Sequence, residues 1–108
     1  MNVPSDVLGV VSGPQGEPSP WARRLARAVD AQRRVHLHYA DRNGAITERA
    51  VRPLALVGPA GAEVLIAWCD QREDFRVFRL DRILDLRVRR DSFEAEPGKT
   101  LADYTGWV

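Results

Sequence analysis

The sequence predicts a mainly β domain in which an N-terminal helix precedes five to six short strands, curled into a small barrel or a strongly curved sheet. Three observations support this. The apolar spacing is helical only over residues 20–32, it changes to strict alternation at Val35, and turn signals then recur at short intervals as far as Pro97-Gly98. Closing such a sheet would also remove its exposed edges.

Residues 1–19 hold three glycines, three prolines and three serines, with Asp6 and Glu17 as their charges, and are expected to form a flexible N-terminal tail. Within them, Val7-Leu8-Gly9-Val10-Val11 is a short apolar patch able to add a strand or cover a groove. Ser19-Pro20 reads as a helix cap followed by proline in the first turn, where its missing N–H costs nothing. The helix should run from Pro20 to Gln32, with Trp21, Leu25, Ala28 and Val29 on one face and Arg23, Arg24 and Arg27 off it.

Val35, Leu37 and Tyr39 alternate with His36 and His38, the pattern of a half-buried strand. Asp41-Arg42-Asn43-Gly44 follows, and Asn-Gly is a strong hairpin signal because both residues tolerate positive φ. A returning strand is expected over 45–51, with Pro53 marking a bend or an edge and a further short strand over 54–57. Gly58-Pro59-Ala60-Gly61 is a turn, 63–69 an apolar strand, 70–74 a polar turn and 75–80 the next strand. Asp81-Arg82-Ile83 suggests a helical turn. Leu84, Leu86 and Val88 then alternate with Asp85, Arg87 and Arg89. After Pro97-Gly98, residues 100–107 suit a final helical turn with Thr100 as cap and Leu101, Tyr104 and Trp107 on one side. The implied organisation is a tail (1–19), a core domain (20–93) and a C-terminal extension (94–108).

A chain of 108 residues supports one domain with one modest core. The net charge of +1 provides no global field to drive it onto nucleic acid or membrane. Of its 16 basic residues all but Lys99 are arginine, the side chain suited to carboxylates, phosphates and stacking, although a GC-rich gene gives the same bias. The lone Cys69 cannot form an internal disulfide and is expected to be an inert buried thiol in a reducing, cytoplasmic setting. No signal peptide or membrane-spanning stretch is expected.

The runs Val35-His36-Leu37-His38-Tyr39, 47–54, 64–69 and 72–83 resemble the WYL domain, over roughly residues 21–93. The stretch carrying Arg76, Phe78, Leu80, Arg82 and Ile83 is the most specific part. The resemblance implies an Sm-like β-barrel with an N-terminal helix. It also implies a regulatory role in bacterial transcription factors and defence systems, sensing single-stranded nucleic acid or a nucleotide-like molecule. In the eponymous triplet, Glu63 and Val64 stand where the family has tryptophan and tyrosine, and Leu65 matches the leucine. Family members usually carry an upstream helix-turn-helix domain, which a 19-residue tail and one helix cannot supply. The expectation is therefore a free-standing sensor or one acting through a DNA-binding partner protein.

Arg72, Arg76, Arg79 and Arg82 are the candidate ligand-binding arginines, with Tyr39 or Phe78 giving apolar contact. Arginine mixed with large apolar groups suits a groove that holds phosphates by charge and bases by stacking. The alternative is that Glu73, Asp74, Asp81 and Asp85 neutralise them in exposed ion pairs. Arg23, Arg24, Arg27, Arg33 and Arg34, and separately Arg87, Arg89 and Arg90, read as solvated faces. His36 and His38 share one side of a strand, a spacing able to hold a metal, but no third ligand is evident and no metal or cofactor is expected. Catalytic motifs are absent: there is no credible nucleophile triad, carboxylate pair, phosphate loop or zinc spacing. The function expected is non-catalytic ligand sensing. The alternative is a protein-interaction or homodimerisation module using the Val7–Val11 patch and the Leu101, Tyr104, Trp107 stripe.

Overall fold

The structure, a computed structural model, describes residues 19–58 and 64–106. The Val7–Val11 patch, the turn residues 59–61, Glu63 and Trp107 lie outside the described residues. Helix α1 (Ala22–Ala31) leads into β1 (Arg33–Ala40), β2 (Ile46–Val57), β3 (Val64–Cys69), β4 (Asp74–Arg79) and β5 (Ile83–Ser92). Short 3-10 turns occupy Leu80–Arg82 and Leu101–Asp103. The strands form one antiparallel sheet in the order β4-β3-β2-β1-β5.

The mainly β fold with an N-terminal helix is as expected; a closed barrel is not what the ladders build. No ladder joins β4 to β5 among the described residues, and the sheet stays open. The 3-10 turn at Leu80–Arg82 carries the chain past the end of β1 so that β5 pairs on the far side of β1 rather than back along β4.

Helix α1 begins at Ala22 rather than at Pro20. The Ser19 hydroxyl accepts the Trp21 N–H and the Ser19 carbonyl accepts the Ala22 N–H, both at 3.1 Å, so Ser19-Pro20 forms a turn that feeds the helix. Leu25 and Ala28 are buried, and Trp21 packs at the margin of the core. Trp21 Nε1 also donates to the Ile83 carbonyl at 3.1 Å, fastening the helix start to β5. The helix ends at Gln32, whose left-handed backbone (φ 52°) turns its N–H onto the carbonyls of Ala28 and Val29 and sends the chain straight into β1.

Val35, Leu37, Tyr39, Val51, Leu65, Ala67, Cys69, Phe78, Leu80, Ile83 and Leu86 complete the core beneath α1. The hairpin between β1 and β2 is looser than the two-residue turn that Asn-Gly suggests. Only Gly44 in this loop has positive φ (85°). The Asp41 carbonyl accepts the Gly44 N–H at 2.9 Å, and the Asp41 carboxylate accepts the N–H groups of Asn43 and Ala45 at 2.8 and 2.9 Å. That carboxylate satisfies the extra amides of a longer loop.

Pro53 does not split β2. The strand runs through it, with a register shift between Pro53 and Ala55 that absorbs the disturbance. The β1 ladder ends at Val35↔Val51, so the missing proline N–H removes no bond on that side. In β5 the even alternation fails for a related reason. A shift between His38↔Asp85 and Tyr39↔Ile83 turns Ile83 and Leu86 inward, while Leu84 and Val88 are exposed.

Beyond β5, Phe93 and Leu101 share a hollow with Val29 of α1, while Lys99 and Tyr104 pack on the sheet face turned away from the helix. Trp68, 8% exposed, is packed there by Phe75 (ring centroids 5.1 Å), which meets Tyr104 at 5.5 Å, while Lys99 lies 5.5 Å above the Trp68 ring. The strap is anchored by charge. An alternating series runs Arg89–Asp91–Arg34–Asp70–Arg52–Glu96–Lys99, with every N···O contact between 2.7 and 3.2 Å. Arg52, 7% exposed, sits at its centre.

Candidate ligand-binding corner

Four of the six expected site residues meet where β4 turns into β5. Tyr39 and Phe78 stack edge to face, with ring centroids 5.0 Å apart at 81°. The Tyr39 hydroxyl accepts the Arg79 backbone N–H at 2.9 Å. Arg82 closes the 3-10 turn next to Ile83, which pairs with Tyr39. Tyr39 and Phe78 are both buried core residues, so they form the floor of this corner rather than its lining.

Arg79 is held by its neighbour: Nε and Nη2 donate to the two oxygens of Asp81 at 3.1 and 2.8 Å. These hydrogen bonds keep the Asp81 carboxyl below the usual aspartate range, and the nearby charge of Arg82 adds to the effect. Arg76 lies one pleat from Phe78 on the same side of β4, opposite Ala67 of the core. Its side chain is half-buried, and its Nε is a buried donor with no hydrogen-bond partner among the described residues. Arg72 stands apart, exposed in the β3–β4 turn. The five steps of β4 from Asp74 to Arg79 span about 17 Å, so Arg72 and Arg79 cannot hold the same phosphate.

Two hollows lie elsewhere. One of about 220 Å³ is bounded by Val29, Pro53, Leu54, Phe93 and Leu101, beneath the C-terminal strap. The other, about 430 Å³, lies between α1 and β5 and is lined by Arg24, Arg27, Arg33, Ala28, Ala31 and Val88. Arg24 is engaged there, donating to the Leu86 carbonyl at 3.0 Å and lying over Trp21. Arg27 and Arg33 have no acid partner among the described residues.

Residues 20–88 match the WYL domain over well over half of the chain. The chain belongs to the WYL domain family. The uncharacterized HTH-type transcriptional regulator YobV of Bacillus subtilis (strain 168) is 33% identical to it over 70 residues, which cover 65% of this chain and 22% of the regulator. Among solved structures, proteasome accessory factor B/C (PafBC) of Arthrobacter aurescens is similar with a TM-score of 0.59 and 26% identity, over 70% of this chain and 13% of that one. The chain thus spans less than a quarter of the length of either. In this WYL domain Val64 pairs in register with Arg79, and Leu65 is buried opposite Phe78.

Three features of the domain lie beyond the sequence reading. The buried Arg52 and its acids need tertiary pairings that no local pattern reveals. The α1–β5 hollow depends on how the helix crosses the sheet. The third is Glu48: a two-residue Asn43-Gly44 turn would set it opposite Tyr39, and the longer loop, which pairs Ala40 with Ile46, sets it opposite His38 instead. Both imidazoles reach its Oε1, His36 at 2.9 Å and His38 at 3.3 Å.

Proposed function

We propose that this WYL domain is the non-catalytic sensing unit of a transcriptional regulator, and that it receives single-stranded nucleic acid or a nucleotide-like anion at the β4–β5 corner. The regulatory part rests on the family and on the regulator YobV. The anion part rests on the orphaned Nε of Arg76. A buried guanidinium N–H without an acceptor costs about 1–3 kcal/mol, a cost that a phosphate oxygen would remove. Arg82 supplies a further fork beside Tyr39, whereas Arg79, three residues along β4 from Arg76, starts from the opposite side of the strand and Arg72 stands at a distant rim. Reading of duplex DNA then falls to a helix-turn-helix on a partner protein.

The test is titration of short labelled DNA and RNA strands, and of mononucleotides, at several salt concentrations. Three phosphate contacts give a log–log salt slope near −2, from about −0.7 per contact on a single strand. Arg76→Gln and Arg82→Ala should each weaken binding, whereas Arg72→Ala should change it little. Failure to bind at about 100 μM and low salt would remove the anion reading. Loss of binding with Arg27→Ala instead would move the site to the α1–β5 hollow.

A second reading, an interaction or homodimer module, is supported by the two open strand edges, where Val77 on β4 and Leu84 on β5 are about half exposed. Leu101 and Tyr104 do not support it, since both fold back onto the domain. Light scattering on the size-exclusion peak separates the two readings.

A further inference from the structure

We propose that His36, His38 and Glu48 form a binding site for a late first-row divalent cation, zinc in the first instance, on the outer face of the β1–β2 hairpin.

The site follows from strand geometry. His36 and His38 are two residues apart on β1 and project from the same face. The hairpin register sets Glu48 directly across from His38 and two residue pairs from His36↔Ala50, on the same face. As a result one ligand atom from each of the three residues lies within 4.8 Å of the other two. Tetrahedral zinc with bonds of about 2.0–2.1 Å separates its ligand atoms by about 3.4 Å. Closing the remaining distance needs only side-chain rotation, and Glu48 is exposed enough to supply it.

The donor set selects the metal class. Two imidazoles and one carboxylate suit zinc, copper or nickel, whereas magnesium and calcium require mostly oxygen. Three protein ligands leave a position for water, so the site is of the open type. The backbone beneath is rigid: β1 is paired on both sides, and the Asp41-centred loop fixes the hairpin.

The surrounding charges permit a cation. In the β5 register Asp85 lies opposite His38 and Arg87 opposite His36. With neutral imidazoles, Glu48 and Asp85 outweigh Arg87 by one charge. Arg34, next along this face of β1, is neutralised by Asp70 and Asp91. The metal-free alternative is a simple pair of imidazole–carboxylate contacts, and the two differ in what zinc does to the rings.

The experiment uses the whole 108-residue chain after chelator treatment, at neutral pH, with zinc chloride as the probe. Calorimetry should show one saturable equivalent. In long-range nitrogen–proton spectra, the Nε2 signals of both His36 and His38 should shift together. His36→Ala and the nearly isosteric Glu48→Gln should each weaken binding roughly tenfold or more, with unchanged circular dichroism. Magnesium at the same concentration should leave the rings unmoved. No saturable zinc binding at 100 μM overturns the proposal. So does zinc binding that leaves these ring nitrogens unshifted, or that survives Glu48→Gln in a folded protein at full strength.

Discussion

The phenolic oxygen of Tyr39 and the backbone N–H of Arg79 are 2.9 Å apart, and this bond joins the end of β4 to β1 at the corner where no ladder does. It is the polar clasp of an open sheet. Tyr39→Phe keeps the edge-to-face packing on Phe78 and removes only the acceptor. The Arg79 amide then loses its hydroxyl acceptor in a partly buried place, at a cost of about 1–2 kcal/mol. A urea melt should show a lower midpoint with an unchanged slope. An unchanged midpoint would mean that water replaces the hydroxyl and that the clasp holds nothing.

Arg52 is the corresponding fastening for the C-terminal strap. Its guanidinium bridges Asp70 on one side and Glu96 on the other, each at 2.9 Å. Arg52→Leu would leave the two acids facing an apolar side chain. A fully buried broken pair costs about 3–5 kcal/mol, but both acids here are partly solvated, so about 1–3 kcal/mol is expected. Trp68 provides a second readout. If the strap lifts, Lys99 and Tyr104 leave the Trp68–Phe75 pair and the tryptophan emission moves to longer wavelength. A destabilised variant with unaltered native emission would show that the strap is held by packing instead.

The parts of this WYL domain that were legible in its sequence are those set by local period. Val35, Leu37 and Tyr39 declare a strand because alternation alone decides which side is buried, and the core bears this out. Leu84, Leu86 and Val88 show the same alternation, yet only Leu86 is buried: a bulge opposite Tyr39 turns Leu84 outward, and nothing near Leu84 signals it, while Val88, opposite Val35, faces the hollow beside α1. Pro53 misled for a similar reason: it reads as a break unless one knows that the pairing of β1 with β2 ends at Val51. Closure was equally beyond reach, since the choice of β5 to pair with β1 is made by a three-residue turn. At the candidate corner, Arg76 and Arg79 were identifiable as arginines among apolar residues. Their different states, one with an orphaned donor and one held by Asp81, are tertiary facts.

Acid should loosen the strap. Lys99 first, and then Arg52, hold the Glu96 carboxyl below its ordinary value of 4.5, and Arg89 does the same for Asp91. A carboxylate with a lowered folded pKa stabilises fully above its unfolded value and loses that contribution as pH falls through the folded one. Urea midpoints should therefore hold steady near neutrality and decline from about pH 4.5 downward. Glu96→Gln should be less stable at neutral pH and show a shallower decline in acid. Parallel curves for the two proteins would remove Glu96 from the account.

Asp81 is predicted to compete with any anion that uses Arg79. Its two oxygens occupy Nε and Nη2 of that guanidinium, the edge a phosphate would take. Both side chains are more than half exposed, so the pair contributes at most about 1 kcal/mol to stability. Asp81→Asn should therefore leave the melting midpoint nearly unchanged while tightening binding of a short single strand up to about fivefold, the equivalent of 1 kcal/mol. Asp85→Asn makes the same change in net charge from a neighbouring position on β5, so it measures the purely long-range part. If Asp81→Asn tightens binding more than Asp85→Asn does, the difference reports the release of Arg79. If the two variants behave alike, the ligand never contacts that guanidinium, and binding at the corner would rest on Arg76 and Arg82.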